Sequence, residues 1–214
     1  KKIGYMTHVK VLSSENFGVP QKRRRTIFIG NRRKYAISFP KPTHGKNGKL
    51  KPFVTVGDVF SNLSYQKGKI HNHDLDSAKI TKDIIKKRVE KIPEGRGIRY
   101  KEDEMELLPK NLWLGIDWKT IDEKRLREEQ YHRLGRKEVS PTIMTSRYTY
   151  FHPTKTRYLT CREAAAIQSF PNHYKFVGTV SQQWMQIGNA VPPLLGKAIG
   201  KSVIKMLKEK KKTK

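Results

Sequence analysis

Apolar and polar positions alternate in two stretches of the first thirty residues, and helical spacing takes over only later. Tyr5 to Leu12 alternates with Val9 and Val11 on one face, which predicts a strand. Ser13 to Gln21 breaks that period and reads as a loop, and Arg25 to Gly30 resumes it as a second strand. Phe39 to Gly48, rich in proline and glycine, is a connector. Helical spacing appears at Val56 to Leu63, with Thr55 placed to cap and Asp58 in the first turn. It recurs at Thr81 to Lys91, where Ile84, Ile85 and Val89 turn inward and Pro93 is the stop. From Glu94 to Arg136, charges and two tryptophans interrupt any period, which predicts loop and short pieces. Strand character returns at Val139 to Thr145 and briefly at Arg157 to Leu159. Thr160 and Glu163 have capping-box spacing, so a helix should start at Cys161, run to Gln168 and end before Pro171. Ser181 reads as the cap of a short helix, Gln182 to Ile187, stopped by Gly188. Pro193 suits the first turn of a last helix, whose apolar stripe is Leu195, Ile199, Val203 and Leu207. Glu209 to Lys214 is a solvated basic tail.

Charge changes the picture most. The 214 residues carry a formal net charge of +27, more than solubility needs, which predicts an anionic polymer as partner. No apolar run approaches the ~20 residues that span a bilayer, and the lysine-bearing last helix has an apolar face better read as a core contact, so no membrane partner is expected. A single cysteine excludes an internal disulfide and a multi-cysteine zinc site, and fits a reducing cytoplasm. His71, His73 and Asp74 invite a metal reading, but no third histidine or cysteine lies near them; a polar loop is expected, and no metal.

Candidate chemistry concentrates at the entrance of the second strand, where Lys22 to Arg25 are four consecutive basic residues. Alternation puts Arg23 and Arg25 on one side and Arg24 on the other. Two guanidinium forks on one side suit a phosphate or a base edge; an edge strand kept soluble by charge is the alternative. Near the other end, Gly188-Asn189 reads either as a helix stop, since both residues tolerate left-handed backbone, or as a binding turn.

Three segments, in order, resemble motifs of the cytosine carbon-5 DNA methyltransferases. Val9 to Arg25, ending Gly-Val-Pro-Gln-Lys-Arg-Arg-Arg, resembles the eighth motif; Arg157 to Pro171 resembles the ninth; and Gln186-Ile-Gly-Asn-Ala-Val-Pro-Pro193 resembles the tenth. The family's glycine-rich cofactor loop, Pro-Cys nucleophile and Glu-Asn pair have no counterpart here, and Cys161 follows Thr160 rather than a proline. The resemblance therefore implies the C-terminal portion of such an enzyme, as a fragment or the second subunit of a split one; the start at Lys1 leans toward a fragment. The implied fold class is α+β: the C-terminal fragment of an α/β methyltransferase fold plus a small mixed, β-rich target-recognition domain. Residues 1–31 would be tail strands of the catalytic domain, 32–156 the target-recognition domain, and 157–214 the region returning to the catalytic domain.

The resemblance also implies roles. The target cytosine must leave the stack, and hydrogen-bond donors to its ring would stabilise the charge that develops during attack. Arg25 matches the second arginine of the family's Gln-x-Arg-x-Arg pattern and would make that contact. Arg23 matches the first and would orient the nucleophile loop or a phosphate, the alternative being an ion pair that anchors the fold. Gln21 would bond backbone near the site. Asn189, Ala190 and Val191 would border S-adenosyl-L-methionine, held mainly by the N-terminal half. Thr142, before Ile143 where the family has Thr-Leu, would meet the phosphate beside the flipped base. Ser146, Arg147 and Tyr148 would face the major groove, with Arg147 either reading guanine or meeting phosphate. The ninth-motif segment would organise recognition, with an Arg162–Glu163 ion pair, Ile167 and Phe170 in the core, and Cys161 a bystander. The last helix would pack on the N-terminal half, leaving a sticky apolar face in this chain alone. The implied partners are double-stranded DNA and that N-terminal half, and the implied activity is methyl transfer to cytosine carbon 5 in DNA methylation and restriction–modification. A non-catalytic basic DNA-binding module is the alternative, and a ribosomal-type RNA binder a more distant one.

Overall fold

The computed structural model describes residues 3–33, 35–64, 70–120 and 129–209. Among them are six α-helices and four short strands in two two-stranded sheets, a mixed α+β arrangement. Strands β1 (Met6–Ser13) and β2 (Arg24–Asn31) pair antiparallel, with Leu12 opposite Arg25 and Val9 opposite Phe28. A 3-10 turn, Ser14–Phe17, leads out of β1 and ends at Gly18, whose φ of 81° is the left-handed conformation that glycine adopts without a Cβ penalty. The hairpin has two unlike faces. Leu12 and Ile27 pack with Phe17 and Phe39 against Leu195, Ala198 and Ile199 of α6 (Pro193–Glu209). Val9, Val11 and Phe28 on the other face stay exposed. The stripe on α6 thus has a partner within this chain, contrary to the sequence expectation. Leu207 is exposed and Met206 is buried in its place, so the inward face has rotated by the end of the helix.

The main core gathers Val56 of α1 (Val56–Ser64), most of α4 (Cys161–Ile167), and Trp184 and Ile187 of α5 (Val180–Asn189) around Leu134, Ile143 and Leu159. Every residue of α4 is buried. Its capping box forms as the spacing predicts: Glu163 N donates to Thr160 Oγ1 and Thr160 N donates to the Glu163 carboxylate. Thr55 and Asp58 reciprocate in the same way at the start of α1.

Several boundaries differ from the sequence reading, each for a local reason. Thr179, not Ser181, caps α5, because Gln182 lies three residues on and its Oε1 accepts from Thr179 N at 2.8 Å. Gly188 does not stop α5, which continues through Asn189. Helix α2 (Asp83–Lys91) starts two residues late and leaves Ile84 exposed, while Val89 is buried as expected. The stretch without a period holds α3 (Lys101–Leu107), whose entry is fixed by the Asp103 carboxylate accepting from Arg99 N and Tyr100 N. Buried Glu104 then accepts from Trp118 Nε1 and Leu114 N. Carboxylate hydrogen bonds hold this helix together with Leu107, which packs against the cluster of Ile92, Ile98, Leu108 and Leu112. Val139 to Thr145 forms no ladder, only one bridge between Ser140 and Gln21, and Arg157 to Leu159 contributes one between Tyr158 and Phe151. In the middle region, β3 (His132–Arg133) and β4 (Tyr150–Phe151) are two-residue parallel partners. Residues 210–214 of the basic tail lie outside the described residues.

Candidate functional site

The three motif segments meet at a buried polar junction. Gln21 is fully buried; its Nε2 donates to Gln168 Oε1 at 2.9 Å and its Oε1 accepts from Ile143 N at 2.8 Å. Gln168, at the end of α4, passes the chain on by donating to Ile187 O at 2.8 Å. Arg23 is 4% exposed, with Nη1 on Ile143 O at 3.1 Å and Nη2 on Gly188 O at 2.7 Å. Its Nε is buried with no protein partner. Burial, and then the charge of Arg25, hold the Arg23 guanidinium down at about 10. Ser14 completes the knot by donating to Gln21 O and accepting from Arg23 N. Arg23 therefore clamps two backbone carbonyls, in place of a phosphate or an ion-pair partner. Arg25 is exposed, with Nη1 on Arg24 O at 2.7 Å. The two arginines do not present a matched pair of forks, because Arg23 precedes β2 and is drawn inward by the junction.

Beside this junction runs the segment from Ser140 to Tyr148. Lys22 N donates to Ser140 O, and Thr142 Oγ1 donates to Lys22 O at 2.8 Å. Tyr150 OH donates to Thr142 O at 3.1 Å. Gly188 is where α5 touches this segment: a Cβ there would stand 2.6 Å from Met144 O and 2.7 Å from Thr145 N. Ser146 turns its hydroxyl to Tyr148 N. Arg147 donates from Nη1 to Ser77 O at 2.7 Å and from Nη2 to Tyr148 OH at 2.8 Å, and its Cζ lies 4.8 Å from the Tyr148 ring centre. Asn189 and Val191 are exposed, with Ala190 half-buried between them. Asn189 edges an open pocket of about 570 Å³ that includes Val177, Met185 and Gln186.

The ninth-motif helix carries a second electrostatic cluster. Arg157, not Arg162, pairs with Glu163, through two bonds of 2.7 and 2.8 Å. Adjacent helical residues diverge, and Arg162 instead donates to the carbonyls of His71, Pro171 and Tyr174. Burial pushes the Glu163 carboxyl up, but Arg157, His152 and the Thr160 amide outweigh it, so the group lies below its ordinary value. His152 stacks on Phe60, and burial lowers its imidazole to about 4. Burial raises the Cys161 thiol to about 11, which keeps it protonated and poor as a nucleophile. His73 Nδ1 lies 3.0 Å from Thr160 Oγ1, while His71 serves through its carbonyl; among the described residues no group of three candidate ligands gathers. No helix among the described residues is long and apolar enough to cross a membrane.

The sequence pattern of the family described as C-5 cytosine-specific DNA methylase matches residues 1–205. The chain belongs to the C-5 cytosine-specific DNA methylase family. The match takes in every residue of the buried junction and both flanking segments. Among curated methylases, the type II methyltransferase M.NgoFVII of Neisseria gonorrhoeae is 34% identical over 209 residues, covering 94% of this chain and 50% of that protein. The type II methyltransferase M1.HphI of Haemophilus parahaemolyticus is 31% identical over 206 residues, covering 96% of this chain and 50% of that protein. The chain thus spans about half the length of these relatives. A solved structure titled as a candidate DNA modification methyltransferase encoded within an E. coli prophage superposes with a TM-score of 0.65 at 20% identity, over 97% of this chain and 62% of that one, which supports the fold. Sequence reasoning missed Gln168 and Ser14 as junction members. A glutamine at a helix end and a serine in a loop carry no signal until their partners are in place.

Proposed function

We propose that this methylase chain is the target-binding and site-completing portion of a DNA (cytosine-5)-methyltransferase that uses S-adenosyl-L-methionine. The observation that carries this reading is the junction of Gln21, Arg23 and Gln168. It rigidly joins the strand leading to exposed Arg25, the Thr142–Tyr148 segment and the turn at Asn189. A site that must hold an extruded base, a phosphate and a cofactor edge at fixed separations needs such a support. Arg25 would donate to the cytosine ring as negative charge develops. Thr142 would meet the adjoining phosphate, and Ser146, Arg147 and Tyr148 the DNA beyond it. The exposed amide of Asn189, the turn through Ala190 and Val191, and the apolar side chains of Val177 and Met185 fit one wall of a cofactor site. The bound cofactor would supply the methyl group. The partner covering Val9, Val11 and Phe28 would be the N-terminal half, which also supplies the nucleophile, because the buried, protonated Cys161 is unsuited to it. Residues 32–156 would make most of the DNA contact.

The test uses this chain combined with a complete N-terminal half. The chain alone is expected to be inactive and the combination active. Arg25→Ala should lower the single-turnover rate about 10²-fold, as removal of a donor to a developing charge does, while site preference survives. A basic binding module without catalysis would instead give tight DNA binding and no turnover in any combination. Unchanged single-turnover rates in Arg25→Ala would remove Arg25 from the base pocket.

A further inference from the structure

Away from the junction lies a cleft of about 390 Å³ between the start of α2 and the β3–β4 pair. That volume is at the small end of the ~300–1,000 Å³ typical of small-molecule sites, with room for one nucleotide unit. Its floor is aromatic. Tyr131 stacks on Phe151 at 6.0 Å and 2°, and Phe151 stacks on Tyr158 at 4.8 Å. Tyr148 stands edge-on to Tyr158, at 5.2 Å and 84°, and the residue is 59% exposed at the mouth. The rim is cationic: Lys79, Lys82 and Arg147 line the cleft, and among the described residues that line it none is acidic. Lys79 has Asp76 as a neighbour at 2.5 Å, so Lys82 and Arg147 carry more of the unshared charge. Arg147 is held in place by Ser77 O and Tyr148 OH, which fixes a cation over one face of the Tyr148 ring. The same two bonds fix the orientation of its fork and use one N–H on each terminal nitrogen, leaving one on each for an anion. Burial keeps the Tyr158 phenol above its ordinary value, so the floor stays neutral toward an anion.

A flat π-surface ringed by cations is the chemistry that captures an unstacked nucleotide: the base lies on the aromatic ring and the phosphate meets the ammonium groups. We propose that this cleft binds one unstacked nucleotide, its base against Tyr148 and its phosphate toward Lys82 and Arg147, at a place separate from the cytosine pocket at Arg25. The proposal rests on the DNA reading above and extends it. Arg147 and Tyr148 become parts of a nucleotide-holding cleft that also uses Lys82, Tyr131 and Tyr158, rather than groove readers. A nucleotide can come from a DNA strand or from solution, and the probes separate the two sources.

The protein is titrated with a single-stranded oligodeoxynucleotide containing one 2-aminopurine, with 2-aminopurine deoxyribonucleoside monophosphate, and with an unlabelled duplex at low salt. Stacking should quench the fluorescence of the oligonucleotide. Tyr148→Phe should retain the quenching, Tyr148→Ala should lose it, and Tyr148→Ala should weaken oligonucleotide binding about fivefold or more. Lys82→Ala should weaken binding without removing the quenching at saturation. Tyr148 is exposed, so its truncation leaves the core intact. Quenching of the mononucleotide alone would assign the cleft to a free nucleotide, and quenching of the oligonucleotide alone to DNA; either supports the cleft. Equal quenching and affinity in wild type, Tyr148→Ala and Lys82→Ala would overturn it, as would no quenching with either probe. Duplex binding retained in that second case would leave the DNA reading standing, whereas loss of duplex binding as well would remove both.

Discussion

Gly188 shows how one residue serves two ends of the chain. It is a helical residue of α5, not a left-handed stop, and what it supplies is the missing side chain. Met144 O occupies the place where a Cβ would sit, and Arg23 holds the carbonyl of the same glycine. Any side chain there must push the Thr142–Tyr148 segment away from α5. Gly188→Ala is therefore expected to destabilise the chain by about 1–3 kcal/mol, the range for overpacking a tight contact. Gly200 in α6 provides the contrast, since no heavy atom lies within 4 Å of its would-be Cβ. Gly200→Ala should stabilise by up to about 1 kcal/mol through helix propensity alone. Thermal melts of the two variants check this pair, and equal shifts would refute the packing argument. Arg23 makes a related point. An arginine in a basic run looks like a ligand for anions, yet burial and two carbonyl acceptors make it a brace.

At the scale of elements, the start of α4 links fold stability to pH. Neutral His152 accepts from Thr154 N and Lys155 N through Nδ1, and its ring lies beside the Glu163 carboxylate that caps the helix. Burial depresses the folded-state pKa of His152 from 6.5 to about 4. Between those values the unfolded chain binds a proton that the folded chain does not, so stability rises with pH across that window. It is fully present above about pH 6.5 and is lost as the pH falls toward 4. Glu163, also depressed overall, acts in the same direction, losing its stabilisation as the pH drops through its folded-state value. The urea midpoint should fall steadily from pH 7 to pH 4.5, and His152→Asn should flatten that slope. An equal slope in wild type and His152→Asn would show that His152 titrates normally. The capping box of α4 and the Thr55 cap of α1 were legible because the partners lie three residues apart in the chain. The strand expected at Val139 to Thr145 was not, because this extended segment meets Gln21 and Gly188 rather than a partner strand.

At the scale of the whole molecule, the charge of +27 would make the proposed binding to DNA an exchange of protein cations for condensed counterions. Duplex affinity should fall by about 10³ or more between ~50 and ~200 mM salt, as it does for proteins making several phosphate contacts. A salt titration measures the slope, and a flat dependence would argue against DNA as the main partner. The hairpin face bearing Val9, Val11 and Phe28 is the molecule's other unfinished surface, apolar where a free strand would be polar.

Sequence by itself pointed to the family, through three ordered motifs, and set the net charge of +27 on which the proposal of a polyanionic partner rests. It also determined the two strands near the N-terminus and the start of α4, through short-range spacing, while their antiparallel pairing came from the structure. These features are local or summed over the chain, so they need no knowledge of which residues meet. Only the tertiary structure decided that Gln21, Arg23, Gln168 and Gly188 form one junction, that Arg157 rather than Arg162 pairs with Glu163, and that Tyr131, Tyr148 and Tyr158 share a cleft. Gln21 and Gln168 are 147 residues apart, and no period or motif connects them. Their pairing follows from the packing of α4 and α5 around Ile143, where a buried amide must find a partner or lose the hydrogen bonds it had in water.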